Sequence, residues 1–88
     1  MHFHISYEIP LDQRSGAEDR FKENGALPPE GVTLVSRWHD VGGRIGFMVV
    51  ESSDFTLVAA YMRGWTDLLT FDIIPVINDE QLAQIMGQ

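Results

Sequence analysis

Polar and apolar residues alternate along residues 2–9, as in a strand that buries one face. Pro10 ends the alternation. Residues 11–24 follow as a mostly polar segment with a thin apolar face, and Gly25 is suited to end a helix in the left-handed conformation. The beginning of the chain therefore predicts a strand and then a helix. The apolar face of the strand carries Phe3, Ile5, Tyr7 and Ile9.

Residues 32–39 and 44–51 predict two further strands, joined by a turn at residues 40–43. The two glycines of that turn can supply the positive φ angles that a tight hairpin needs. Pairing His39 with Arg44 across the turn gives a register that is consistent along both strands. We expect one face of this hairpin to meet the helices, namely Val32, Leu34, Ser36, Trp38, Ile45, Phe47 and Val49.

Ser53 or Asp54 is a suitable N-cap for a second helix. Apolar residues recur at helical spacing across residues 58–69, so we expect this helix to carry most of the core. Residues 71–78 predict a fourth strand. Pro75 lies within it, and proline is tolerated there only at the edge of a sheet.

The order of these elements is β-α-β-β-α-β, the split βαβ arrangement of a ferredoxin-like fold. We predict an α+β protein with an antiparallel sheet in the order 4-1-3-2 and two helices on one face. Residues 79–88 can add a short C-terminal helix, which is marginal unless it docks. The length predicts a single domain over residues 1–88.

Composition and charge exclude several classes of function. The formal net charge is -7 and the six basic residues form no cluster, so nucleic acid and anionic membranes are poor partners. There is no cysteine, hence no disulfide and no thiolate metal site. No segment resembles a signal peptide or a membrane span, so we expect a cytoplasmic location. The glycines of residues 42–46 do not match a phosphate-binding loop, and no cofactor is indicated.

Aromatic residues suggest a binding site at one end of the sheet. Trp38 on the helix-facing side should lie near Trp65 in the second helix, with Tyr61 and Tyr7 close by. An aromatic cavity with a few polar groups at its rim suits a small apolar ligand. The alternative is that both tryptophans are ordinary core residues, as a tryptophan between a strand and a helix most often is.

Two residues at the same end are candidates for catalysis. Arg37 should oppose Gly46, which leaves an open floor between Arg37 and either Ser6 or Glu8. His39 borders that floor and is the one general-base candidate, because its ordinary pKa lies near neutrality. The alternatives are a salt bridge between Arg37 and Glu8, and a solvated histidine beside the turn.

His2 and His4 form the most metal-like motif of the chain, since alternation puts both rings on one face of a strand. A third ligand is missing within one subunit. His39 lies at the opposite end of the predicted sheet, and Glu8 is roughly 13 Å from His4 along an extended strand. We therefore predict no metal site, and interpret the pair as a polar strand face or a dimer contact.

Several motifs resemble one family. They are the Arg37-Trp38-His39 segment, residues 28–32, Gly46-Phe47, Val50-Glu51 and residues 65–69. Together they resemble the family of small bacterial proteins known as domain of unknown function 3303, over nearly the whole chain. The layout is similar to that of dimeric α/β barrel proteins, which include small monooxygenases and isomerases. The resemblance implies a ferredoxin-like subunit that pairs sheet to sheet.

The second face of the predicted sheet is too apolar for a solvated surface and too polar for a core. It is expected to carry Val35, Met48 and Val50 together with Arg37, His4 and Glu8. A homodimer that pairs these faces would bury them, and the C-terminal segment could cap its partner.

Three functions remain open from the sequence. The first is a dimeric module that binds a small apolar metabolite or another protein. The second is a cofactor-free enzyme of the monooxygenase or isomerase type, with His39 as base and Arg37 stabilising an oxyanion. The third is a structural dimer without a ligand. We rank the binding module first and the enzyme second.

Overall fold

The structure is a computed structural model that describes residues 1–87. A single 3-10 turn at Leu11–Gln13 precedes the first α-helix. The other elements alternate as the sequence predicts: β1 His2–Glu8, α1 Arg14–Asn24, β2 Thr33–His39, β3 Ile45–Glu51, α2 Phe55–Arg63, β4 Thr70–Val76 and α3 Asp79–Ile85. The predicted C-terminal helix extended to residue 88, which lies outside the described residues.

The four strands form one sheet in the order β2-β3-β1-β4, which is the predicted order read from the other edge. All neighbouring strands are antiparallel. The α+β, ferredoxin-like layout is therefore confirmed. Pro75 lies on β4, an edge strand, where a missing N–H can be accommodated.

Local signals in the sequence explain where the helices begin and end. Gly25 adopts the left-handed conformation with φ of 68°, and its N–H donates to the Phe21 carbonyl at 2.7 Å. The Asp54 side chain accepts from the Thr56 N–H at 2.9 Å and caps α2. Helix α2 ends at Arg63, earlier than predicted, and residues 64–68 continue as turns.

The hydrophobic core lies between α2 and one face of the sheet. Its fully buried centre is Ile5 from β1, Val50 from β3 and Val58 from α2. A smaller cluster at the other end of the sheet contains Tyr7 and Ala17, with further residues of the segment after α2. Both helices therefore cover the face of β1 that the alternation predicted to be buried.

The predicted register of the β2–β3 hairpin is wrong, and so are the predicted faces of β3 and of β2 beyond Leu34, whereas Val32 and Leu34 pack into the core as predicted. His39 opposes Gly46 instead of Arg44, and Arg37 opposes Met48 instead of Gly46. An irregularity between Leu34 and Ser36 inserts one extra residue into β2. Consequently the side that meets the helices is the one predicted to lie opposite them, and it carries Arg37, His39, Gly46, Met48 and Val50.

The cause is that both faces of β3 are apolar, so its own alternation does not identify the buried side. The neighbouring strand β1 does so. Ile5 opposes Met48 in the central pair, and both side chains are buried. Trp38 falls on the other side, where 62% of its surface is exposed.

The open face is the side of the sheet away from α1 and α2. It carries exposed apolar side chains on three strands, including Trp38, Ile45, Phe47 and Ile74. Helix α3 follows β4 and buries none of its residues, so that Leu82, Ile85 and Met86 are also exposed. No helix within residues 1–87 has the length and hydropathy required to cross a membrane.

Candidate functional site

A cavity of about 380 Å³ lies between the sheet and α1 and is called the α1 cavity below. Its volume is near the lower end of the range of about 300–1,000 Å³ for small-molecule sites. The strands provide its floor, α1 one wall, and α2 with the turns that follow it the other. Its lining includes Tyr7, Ile9, Ala17, Phe21, Arg37, His39, Met48, Tyr61, Met62, Trp65, Leu69 and Phe71.

Tyr7 and His39 form a hydrogen-bonded pair across the floor of the cavity. The Tyr7 hydroxyl lies 2.8 Å from Nδ1 of His39. Both residues oppose Gly46, Tyr7 from β1 and His39 from β2. The Tyr7 ring crosses β3 at Gly46, where an added Cβ would lie only 2.2 Å from the phenol oxygen. Gly46 therefore provides the path by which a β1 side chain reaches a β2 side chain.

Arg37 of β2 provides a second polar group on the floor of the cavity. Its guanidinium donates to the carbonyl oxygens of Gly25 at 3.0 Å and Ala26 at 2.9 Å, and to the Tyr61 hydroxyl at 3.3 Å. The Tyr61 hydroxyl in turn donates to the Ala26 carbonyl. Because a helix ends with unpaired carbonyls and a negative dipole end, a cation at this position stabilises the end of α1.

The backbone at this helix end is strained. Ala26 has φ of 47°, a left-handed conformation that is uncommon for a residue with a Cβ. The side chain of Asn24 holds it there by accepting from the Ala26 N–H at 2.8 Å. Arg37 and Tyr61 therefore donate to the carbonyl of Ala26, a residue held in an unfavourable backbone conformation.

Aromatic residues shape the rest of the cavity. Phe21 on α1 lies against the Arg37 guanidinium, with 5.3 Å between the ring centroid and the guanidinium carbon, and its edge meets the His39 ring. Trp65 forms the wall on the α2 side. Behind it, Arg20 makes a bidentate ion pair with Asp67 at 2.7 and 2.8 Å and lies over the indole ring. This pair joins α1 to the segment after α2.

The two tyrosines share an electrostatic environment. Burial raises the pKa of both Tyr7 and Tyr61 above the ordinary value of 10, and the positive charge of Arg37 offsets part of each rise. Both phenols are therefore neutral hydrogen-bonding groups at physiological pH. The floor of the site presents a hydroxyl, an imidazole and a guanidinium, and α2 adds a second hydroxyl beside them; the rest of the lining is mainly apolar, with charged side chains at the rim.

Five of the six residues singled out from the sequence line this cavity: Tyr7, Tyr61, Trp65, Arg37 and His39. Trp38 lies on the open face and does not meet Trp65. The predicted pair of Arg37 with Glu8 is also corrected, because Glu8 opposes Ile45 on the open face. Phe21 of α1 also lines the cavity, although it was not among the residues singled out from the sequence.

The two N-terminal histidines lie away from the α1 cavity. His2 Nε2 is 3.4 Å from a Glu51 carboxylate oxygen, and the His4 ring stacks on Phe47 with 5.6 Å between centroids. Within residues 1–87, no three histidine or carboxylate side chains are grouped as a metal site requires.

The model of the family described as domain of unknown function (DUF3303) matches residues 1–88. The chain therefore belongs to that family, as its motifs indicated. A comparison with curated proteins found no match.

Proposed function

We propose that this member of the DUF3303 family is a homodimeric module that binds a small, largely apolar molecule in the α1 cavity. The observation that supports this most directly is the cavity itself. Four side chains with hydrogen-bonding groups, three on the floor and one on α2, lie on one side of the cavity, while the rest of the lining is mainly aliphatic and aromatic. This combination of apolar walls and few fixed polar groups is typical of ligand sites.

Ala17 offers a direct test, because it is the buried residue of α1 and lines the cavity. Ala17→Leu would place a larger aliphatic side chain in the space that a ligand needs. We expect the wild-type protein to bind the neutral fluorescent probe N-phenylnaphthylamine saturably, and we expect the Ala17→Leu variant to lose that binding.

Ala60→Leu is the matched control, since Ala60 lies on the exposed side of α2. It should bind the probe as the wild type does. The proposal is wrong if the wild-type protein does not bind the probe, or if Ala17→Leu binds it equally well while circular dichroism shows an intact fold.

The homodimer is supported by the open face. Four strands spaced about 4.8 Å apart, each of seven residues rising about 3.4 Å, span a face of roughly 20 by 24 Å. That face alone is smaller than the roughly 800 Å² per partner of a standard interface. The exposed apolar side of α3 supplies additional surface, and a helix as short as Asp79–Ile85 is marginal unless it docks. A second copy of the chain that covers the open face and α3 together would provide a larger interface and would dock the short helix.

Phe47→Glu tests this arrangement, because Phe47 lies on the open face with 46% of its surface exposed. We expect sedimentation velocity to show a dimer for the wild type and a monomer for Phe47→Glu. Leu27→Glu is the control: Leu27 is exposed on the helix side and should leave the dimer intact. A wild-type monomer at micromolar concentration would refute the dimer.

A second candidate function, a cofactor-free enzyme, is favoured by the Tyr7–His39 hydrogen bond. The Nδ1 contact at 2.8 Å orients the imidazole, and Arg37 lines the same cavity. A base and a cation that share one cavity can remove a proton and stabilise the resulting oxyanion. We therefore expect His39→Gln to retain probe binding but to lose any catalysis of hydrogen–deuterium exchange at the acidic C–H of β-tetralone. Exchange at the uncatalysed rate with the wild-type protein would argue against this enzyme.

A further inference from the structure

We infer that the polar end of the ligand in the α1 cavity is a carboxylate, held by Arg37 with the Tyr7–His39 pair beside it. This inference rests on the proposed function and adds the chemical class of the ligand. Its basis is the surroundings of one cation that is placed against an apolar cavity in a strongly acidic chain.

The first observation is that Arg37 has neutral partners. Its guanidinium donates to two backbone carbonyls and one phenol, and no carboxylate within residues 1–87 forms an ion pair with it. A half-buried guanidinium retains its full charge, and its planar array of donors matches a carboxylate. Three hydrogen bonds use only some of its N–H groups, which leaves donors for a ligand.

The second observation is the charge at the rim of the cavity. The lining contains two carboxylates, Glu18 and Asp40. Asp40 already faces Arg44 of the hairpin turn, with 3.8 Å between Oδ2 and Nε. Glu18 is exposed on α1, and Lys22 lies one turn further along the same helix. These rim charges offset one another, so among the residues that line the cavity the positive charge without an acidic counterpart is that of Arg37.

The third observation is the supply of neutral hydrogen-bond donors. The pKa of Tyr7 is raised by burial, so its hydroxyl remains protonated beside His39. Arg37 and His39 are two residues apart on β2, so their side chains share the face of the sheet that meets the helices, and Tyr7 reaches His39 on that face. A carboxylate that approaches Arg37 with one oxygen can therefore accept a hydrogen bond from the Tyr7–His39 pair through its second oxygen. The apolar body of the ligand would then lie against Phe21 and Trp65.

The test compares naphthaleneacetate with naphthaleneacetamide, which share a ring system and differ in charge. Isothermal titration of the wild-type protein should show about tenfold tighter binding of the acid, the scale of one charge-assisted hydrogen bond. Arg37→Gln should bind both equally. Arg63→Gln is the control, since Arg63 is an exposed cation at the end of α2 that does not belong to the lining, and this variant should keep the preference for the acid.

The possible outcomes separate the inference from the proposed function. If the wild type binds both compounds equally, or if folded Arg37→Gln keeps the preference for the acid, the inference is overturned while the binding module stands. If it binds neither compound nor the neutral probe, the proposed function itself fails. Because Arg37 also holds the end of α1, Arg37→Gln could unfold; the Nε–H resonance of Arg37 in the wild-type protein then decides the matter. It should shift on titration with naphthaleneacetate and much less with naphthaleneacetamide, and an equal response to both would overturn the inference.

Discussion

Replacing Gly46 by alanine tests the geometry on which the site depends. A Cβ at this position would lie 2.2 Å from the Tyr7 hydroxyl oxygen, 2.3 Å from its Cζ and 2.8 Å from the backbone oxygen of Trp38. The phenol must therefore leave its place, and the neighbouring strand must shift as well. We expect the Gly46→Ala protein to lose the hydrogen bond between Tyr7 and His39.

The magnitude follows from three contributions. Overpacking a buried position costs about 1–3 kcal/mol. The lost hydrogen bond costs about 1 kcal/mol more. An alanine in a strand recovers about 0.5–1 kcal/mol of backbone entropy relative to glycine. We therefore expect Gly46→Ala to lower the free energy of unfolding by about 2 kcal/mol.

Urea denaturation followed by circular dichroism measures this change. Gly64→Ala is the control, because Gly64 has φ of -65° and its nearest contact to an added Cβ is 3.4 Å. That variant should be as stable as the wild type or up to about 1 kcal/mol more stable. If the free energy of unfolding of Gly46→Ala lies within about 0.5 kcal/mol of the wild-type value, Tyr7 does not occupy the space above Gly46 and the site does not have this geometry.

Other predictions concern titration, packing and dynamics. Both tyrosines should ionise above the ordinary pKa of 10 in the folded protein, so at pH 10 ultraviolet absorbance should show less tyrosinate in the folded protein than in urea. The free energy of unfolding should fall as the pH rises above 10, because the unfolded chain loses these protons first. Ser52→Ala should cost about 1–3 kcal/mol in urea denaturation, because the buried Ser52 hydroxyl donates to the Gly31 carbonyl at 2.7 Å; exposed Ser53→Ala should be neutral. The pKa values of Asp54 and Asp67 are lowered by hydrogen bonds from Thr56 and Arg20 respectively, so stability should decrease as the pH falls below about 4, and a flat acid profile would contradict this. Amide hydrogens of α1 should exchange faster than those of β1 and β3, and a bound ligand should slow them.

The order of elements could be predicted from the sequence because each element carries a local signal. The alternation of β1, the left-handed position of Gly25, the Asp54 cap and the edge position of Pro75 are properties of short segments, and the structure confirms them. Their combination also indicates the sheet order. The faces of the β2–β3 hairpin could not be obtained in the same way.

One feature of the hairpin accounts for that failure. The extra residue between Leu34 and Ser36 reverses the side on which later β2 residues lie, and nothing in the local sequence marks it. The turn also spans two more residues than predicted, with His39 opposite Gly46, but a shift of two residues leaves each side chain on its face. Because of the extra residue in β2, Arg37 and His39 lie on the side of Trp65, whereas Trp38 lies on the open face. The candidate residues were largely identified, but their grouping depends on this register.

The thin packing of α1 and the presence of the cavity beneath it have one physical origin. Helix α1 buries only Ala17, so its apolar face cannot fill the space above the sheet. What holds it is largely polar and lies at its C-terminal end: Arg37 and Tyr61 contact the carbonyls after the helix, and Arg20 pairs with Asp67. The main core lies beneath α2 and contains no residue of α1. The residue that anchors the helix, Arg37, is also the one that we propose contacts the ligand, so a bound anion at Arg37 would act directly on the contacts that hold α1.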